Sequence, residues 1–180
     1  NFNEDNTDYL MSQVIQAQDF FSKKTGIKKD NILFFGHNTS ARSIFKYMIS
    51  ESFIGSGAIL LGTKINLLEN INSLFEKNDD YTIDWITSLN KESIKNKLVM
   101  ISTKNDDVFV PLAAQELNNK INNENVELKI FEGKFHTYEV INPEILNFSV
   151  EKASEVFNVK LHENTLLIIR NNYWIFLGSI

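Results

Sequence analysis

The 180-residue chain contains no cysteine, which excludes disulfide scaffolds, thiolate metal sites and cysteine nucleophiles but leaves the compartment open. It also lacks an excess of basic charge. Eighteen Lys and Arg against 23 Asp and Glu give a net charge of −5, so no broad phosphate-binding surface for nucleic acid is expected. No apolar run approaches the roughly 20 residues of a membrane-spanning helix, and no signal-peptide pattern opens the chain. A soluble protein, cytoplasmic rather than secreted, is the expectation. Neither a glycine-rich phosphate loop nor a histidine and carboxylate set at metal-ligand spacing occurs, so no cofactor or metal is expected. The first residue is Asn1 rather than Met, which suggests a trimmed or partial product.

With 43% hydrophobic and 23% charged residues, the composition is that of one globular domain with a real core. Leu10, Val14, Ala17 and Phe21, with Tyr9, Met11 and Ile15 beside them, recur at helical spacing up to Thr25-Gly26, which reads as a C-terminal stop. Asn31-Ile32-Leu33-Phe34-Phe35 is a short apolar run without alternation, as expected of a strand buried on both faces of a parallel sheet. Helical spacing returns at Ala41, Ile44, Phe45, Met48 and Ile49.

The alternation then repeats. Residues 58–61, 97–101 and 126–131 read as strands, and Leu67, Leu68, Ile71, Leu74 and Phe75 as a helical stripe. Pro111 to Ile121 reads as a helix, and Asn142-Pro143-Glu144 as an N-cap with proline in the first helical position. Strand and helix in alternation imply an α/β fold, a mostly parallel sheet with helices on both faces. The tail differs: Thr165 to Ile169 and Tyr173 to Leu177 flank the turn-like Arg170-Asn171-Asn172, the pattern of a β-hairpin. The expected organisation is therefore a domain over 1–157 and a C-terminal β-hairpin extension over 158–180. Trp85 and Trp174 are expected in the core or an interface, and His162 at the surface.

In an open parallel sheet, reactive groups collect on loops beyond the carboxyl ends of strands. Three such loops carry chemistry: Gly36-His37-Asn38-Thr39-Ser40, then Ser102 to Pro111 with Asp106-Asp107, then Glu132-Gly133-Lys134-Phe135-His136. "ILFFGHNTSA" resembles the nucleophile elbow of α/β-hydrolases, in particular the serine esterases and prolyl-oligopeptidase-like hydrolases. "DVFVP" resembles that family's acid loop and "GKFH" its histidine loop. The likeness covers residues 9 to 157, and the order nucleophile, acid, histidine is the family's.

The resemblance implies that Asp107 is the acid, with Asp106 the candidate if the register is off by one, and that His136 is the base. The imidazole would take a proton from a nucleophile while the carboxylate fixes its tautomer. It further implies an oxyanion-hole donor at the backbone N–H of Thr39, a packing role for His37, and a small-molecule ester or an acyl or peptide substrate. The nucleophile position falls on Asn38, and a carboxamide nitrogen is not a useful nucleophile. Asparagine nevertheless tolerates the positive φ that such a turn demands, and Gly36 and Ser40 are both small.

Four readings of Asn38 stand open at this point: a pseudoenzyme that keeps the fold for binding, a substituted serine in an otherwise active hydrolase, a nucleophile displaced to Ser40, and a stand-in for aspartate by mutation or deamidation. The family's first strands, and the loop that supplies the other half of its oxyanion hole, would precede the first helix. A missing N-terminal segment or a partner chain is expected to complete the sheet, because strand 31–35 would otherwise be an open edge.

Overall fold

A computed structural model describes residues 5–63, 89–106, 111–132 and 140–161, with backbone alone at 5–7, 112 and 113. The expected helix at 67–75, the hairpin at 165–177, Trp85, Trp174 and His162 lie outside the described residues. In chain order the elements are α1 (Asp5–Thr25), β1 (Leu33–His37), α2 (Thr39–Met48), β2 (Gly57–Leu61), β3 (Lys97–Thr103), α3 (Pro111–Ile121), β4 (Val126–Phe131) and α4 (Pro143–Phe157). The four strands form one sheet in the order β1-β2-β3-β4, and every neighbouring pair is parallel.

Period-two alternation splits the sheet's side chains between two cores. Phe34, Ala58, Leu60, Leu98 and Met100 point to one face, where Met11, Val14 and Ile15 of α1, Ile44 and Phe45 of α2, and Leu117 and Ile121 of α3 cover them. Ile59, Leu61, Val99, Ile101 and Phe131 point to the other, where Ile145, Phe148 and Ala153 of α4 pack. The central strands are apolar without a break because both of their faces are covered. All five residues of β2 are buried.

β1 departs from the sequence expectation in two ways. It is shifted by two residues at both ends, to Leu33–His37, because Asn31 closes a 3-10 turn, and it is not buried on both faces, since Phe35 is 50% exposed. The cause is its position: among the described residues β1 pairs with β2 alone, and α4 lies over β2 and β3.

α1 turns Met11, Val14 and Ile15 to the core as the spacing expects, but its second half departs from the stripe. The helix is where the spacing places it, but Ala17 and Phe21 are exposed, and Gln18 is buried. A carboxamide replaces an apolar group there because it satisfies the Ile54 carbonyl and the Tyr47 hydroxyl and adds a second donor to the Lys29 carbonyl. Gln18 Nε2 donates to Lys29 O at 3.2 Å and to Ile54 O, while Gln18 Oε1 accepts from the Tyr47 hydroxyl at 3.1 Å. Tyr47 O in turn accepts from Ser50, and its hydroxyl accepts from Ile54 N–H at 3.3 Å. One side chain thus ties α1 to α2 and to the segments entering β1 and β2.

The α4 boundaries follow from capping. Asn142 Oδ1 accepts from Glu144 N at 2.8 Å and from Ile145 N at 3.3 Å, with Pro143 at the first position, where its missing N–H costs nothing. Asn158 closes the helix in the left-handed conformation.

Candidate active site

The turn from β1 to α2 is a single residue wide. Asn38 adopts φ 57° and ψ −121°, a conformation that non-glycine residues hold only when the surroundings over-determine it. Several contacts do so. Asn38 N–H donates to Leu61 O at the end of β2 (3.0 Å), and Asn38 O accepts from Arg42 N in the first turn of α2 (3.2 Å). The Ser40 hydroxyl donates to His37 O at 2.7 Å and accepts from His37 N–H at 3.0 Å, so it locks the last residue of the strand to the first turn of the helix.

Gly36 permits the close approach. A Cβ there would sit 2.7 Å from Ile44 Cδ1 and 2.9 Å from both Cα and N of Ala41, distances that backbone atoms cannot relieve without moving the helix. The sequence requirement for small residues around the turn is thereby given a cause: glycine lets α2 pack directly on β1.

The turn presents the half-buried Asn38 side chain at the N-terminus of α2. Thr39 is the first helical residue, so its backbone N–H has no acceptor one turn earlier within the helix and is a donor at the positive end of the helix dipole. The Thr39 hydroxyl donates to Asn38 Oδ1 at 3.2 Å, a contact that the sequence signals only by adjacency. Ser40 Oγ spends its donor and an acceptor on His37, which gives this hydroxyl a structural task in the turn.

Sheet register gathers the three loops. His37 lies opposite Leu61, Leu61 opposite Ile101, and Thr103 opposite Phe131, so the segments leaving β1, β3 and β4 emerge along one carboxyl edge. The second and third are also joined to each other: Lys104 N donates to Phe131 O at 2.7 Å, and Lys104 Nζ meets Glu132 Oε1 at 3.1 Å. Asp106 is buried in the second segment, with its N–H donating to Thr103 O at 3.2 Å. Asp107 and His136 lie outside the described residues. No cluster of three or more metal-ligating side chains occurs among the described residues, and no described helix is long and apolar enough to cross a membrane.

Neither a protein-family profile nor a curated protein sequence matches this chain. Solved structures do. The chain is similar to an esterase, Pf2001, of Pyrococcus furiosus, with TM-score 0.60, 18% identity, and coverage of 81% of this chain and 61% of the esterase. It is similar to a carboxylesterase of Bacillus cereus, with TM-score 0.57, 14% identity, and coverage of 86% and 64%. A dipeptidyl peptidase 4 of Porphyromonas gingivalis aligns with TM-score 0.61 at 12% identity over 86% of this chain and 23% of the peptidase. The chain has the α/β-hydrolase fold, and it spans about three fifths of the length of the two esterases.

Proposed function

We propose that this chain carries the nucleophile-elbow half of an acyl-hydrolase-type domain, with Asn38 in the nucleophile position, Asp107 and His136 in the acid and base positions, and Thr39 N–H as an oxyanion donor. The observation that carries this reading is the Asn38 backbone, φ 57° and ψ −121°, held at the strand-to-helix turn beside Gly36. A strained conformation costing of order 1–3 kcal/mol is retained where its surroundings enforce it. The similar structures include esterases and a peptidase, which supports an ester, acyl or peptide ligand for the same edge of the sheet.

As the sequence stands, Asn38 offers no oxygen or sulfur atom able to form an acyl-enzyme. The chain then acts as a variant of the hydrolase fold that lacks turnover through a covalent intermediate. The engaged Ser40 hydroxyl supports Asn38, not Ser40, as the position that faces a ligand.

Hydrolysis of a small activated ester by the chain and by Asn38→Ser tests the reading. The serine variant is expected to exceed the parent by at least about 100-fold, with the gain abolished in Asn38→Ser/His136→Ala. Equal rates in all three proteins would favour a second reading, a binding or assembly module. One feature supports that alternative: among the described residues β1 is a sheet edge carrying a half-exposed Phe35, open to a further N-terminal segment or a partner chain that completes the sheet.

A further inference from the structure

We propose that Asn38 is a site of self-modification, in which the elbow drives attack of the Thr39 backbone nitrogen on the Asn38 carboxamide to form a succinimide that hydrolyses to aspartate or isoaspartate. The geometry on which this rests is ψ at Asn38, −121°. For an L-residue that torsion brings Cβ and the following nitrogen into eclipse about the Cα–C bond. A five-membered ring of Asn38 Cα, Cβ, Cγ and C with Thr39 N demands this eclipse, and an unconstrained chain adopts it rarely because of its steric cost. The folded turn therefore holds the backbone in the reactive arrangement before any bond forms, which is the advantage of a preoriented intramolecular reaction.

Two neighbours assist. The Thr39 hydroxyl donates to Asn38 Oδ1 at 3.2 Å, which polarises the carbonyl that is attacked and stabilises the negative charge that develops on its oxygen. Thr39 N opens α2, so its N–H is not withdrawn into an intrahelical bond. The helix dipole also favours the negative charge left when that nitrogen gives up its proton.

The step balances without an enzyme or an oxidant. Hydroxide removes the Thr39 N–H proton, the nitrogen lone pair forms the bond to Cγ, and Nδ2 takes up a proton and leaves as ammonia. One water then opens the ring. Cleavage of the Cγ–N bond restores the main chain and leaves an aspartate at position 38, a carboxylate where the fold positions its nucleophile. Cleavage of the C–N bond gives the isoaspartyl linkage instead. The reaction needs the elbow's backbone and Thr39 alone, so it holds or fails independently of any triad with Asp107 and His136.

The test follows conversion at each asparagine by peptide mapping, as a mass gain of about one dalton, in the whole chain incubated at mildly alkaline pH either folded or unfolded in urea. Asn158 serves as an internal control, since it too has positive φ but a ψ of 42°. The expected result is conversion of Asn38 about tenfold faster in the folded chain than in the unfolded one, and slower conversion of Asn158 on folding. Thr39→Val, isosteric and at an exposed position, should keep the circular dichroism of the parent and slow Asn38 several-fold. Conversion of Asn38 in the folded chain at or below the unfolded rate overturns the proposal. A Thr39→Val rate equal to the parent's overturns it as well.

Discussion

Gly36 and Asn38 show how much of the turn is decided by single side chains. A methyl group at position 36 meets two backbone atoms of Ala41 at 2.9 Å, and neither can rotate away. Gly36→Ala should therefore destabilise the chain by about 2–3 kcal/mol, the cost of overpacking against a rigid neighbour, and should lower the urea midpoint without changing the slope. An unchanged midpoint would mean that α2 can slide on β1. The need for small residues near Asn38 was legible in "GHNTS", as was the tolerance of asparagine for positive φ. What was not legible is the partner of each group. Ser40 reads as a spare nucleophile in one dimension, yet in three it spends its hydroxyl on His37, because a residue two places into the helix points back at the strand's end.

At the level of elements, the strands and helices were readable wherever an apolar run or spacing is unbroken, as in β2, β3 and α2, and α4 was readable from its Asn142-Pro143 cap. The spacing failed where a polar group does a core residue's work. Gln18 is invisible to a hydrophobic stripe, so the spacing carries the stripe on to Ala17 and Phe21, which are exposed. Gln18→Met keeps the volume but strands the Ile54 carbonyl and the Tyr47 hydroxyl, and is expected to cost about 2 kcal/mol in a urea titration. A neutral effect would show that water replaces the carboxamide.

The β4–α4 contact has a charge dependence of its own. Burial disfavours the Glu127 carboxylate, but hydrogen bonds from Lys152 and Lys97 outweigh it and hold the group below its ordinary value of 4.5. Burial likewise opposes the Lys152 charge, and Glu127 and Glu155 overcome it and raise that group above 10.5. Glu127 lies 3.0 Å from Lys152 and 3.1 Å from Lys97. A carboxyl whose folded pKa is depressed stabilises the fold above its unfolded pKa, and this is lost as pH falls through the folded one. Glu127→Gln should thus cost about 1 kcal/mol at neutral pH and the difference should shrink to nothing once the pH is well below 4.5. A penalty that persists in acid would assign the effect to packing.

Across the whole molecule, order along the chain proved the strongest signal. Three loops that are distant in sequence leave one edge of a parallel sheet in the register β1, β3, β4, as alternating strands and helices require. Among the described residues β1 is an edge strand, paired with β2 alone. The half-exposed Phe35 is its physical mark.

The central claim is that Asn38 occupies the nucleophile position of a hydrolase elbow. Its most direct test is the intact mass of Asn38→Ser after exposure to an activated ester. One acyl group per chain is expected, mapped to position 38 and absent from the parent protein. A serine variant that stays unacylated while remaining folded, or an acyl group found on Ser40 instead, would contradict it.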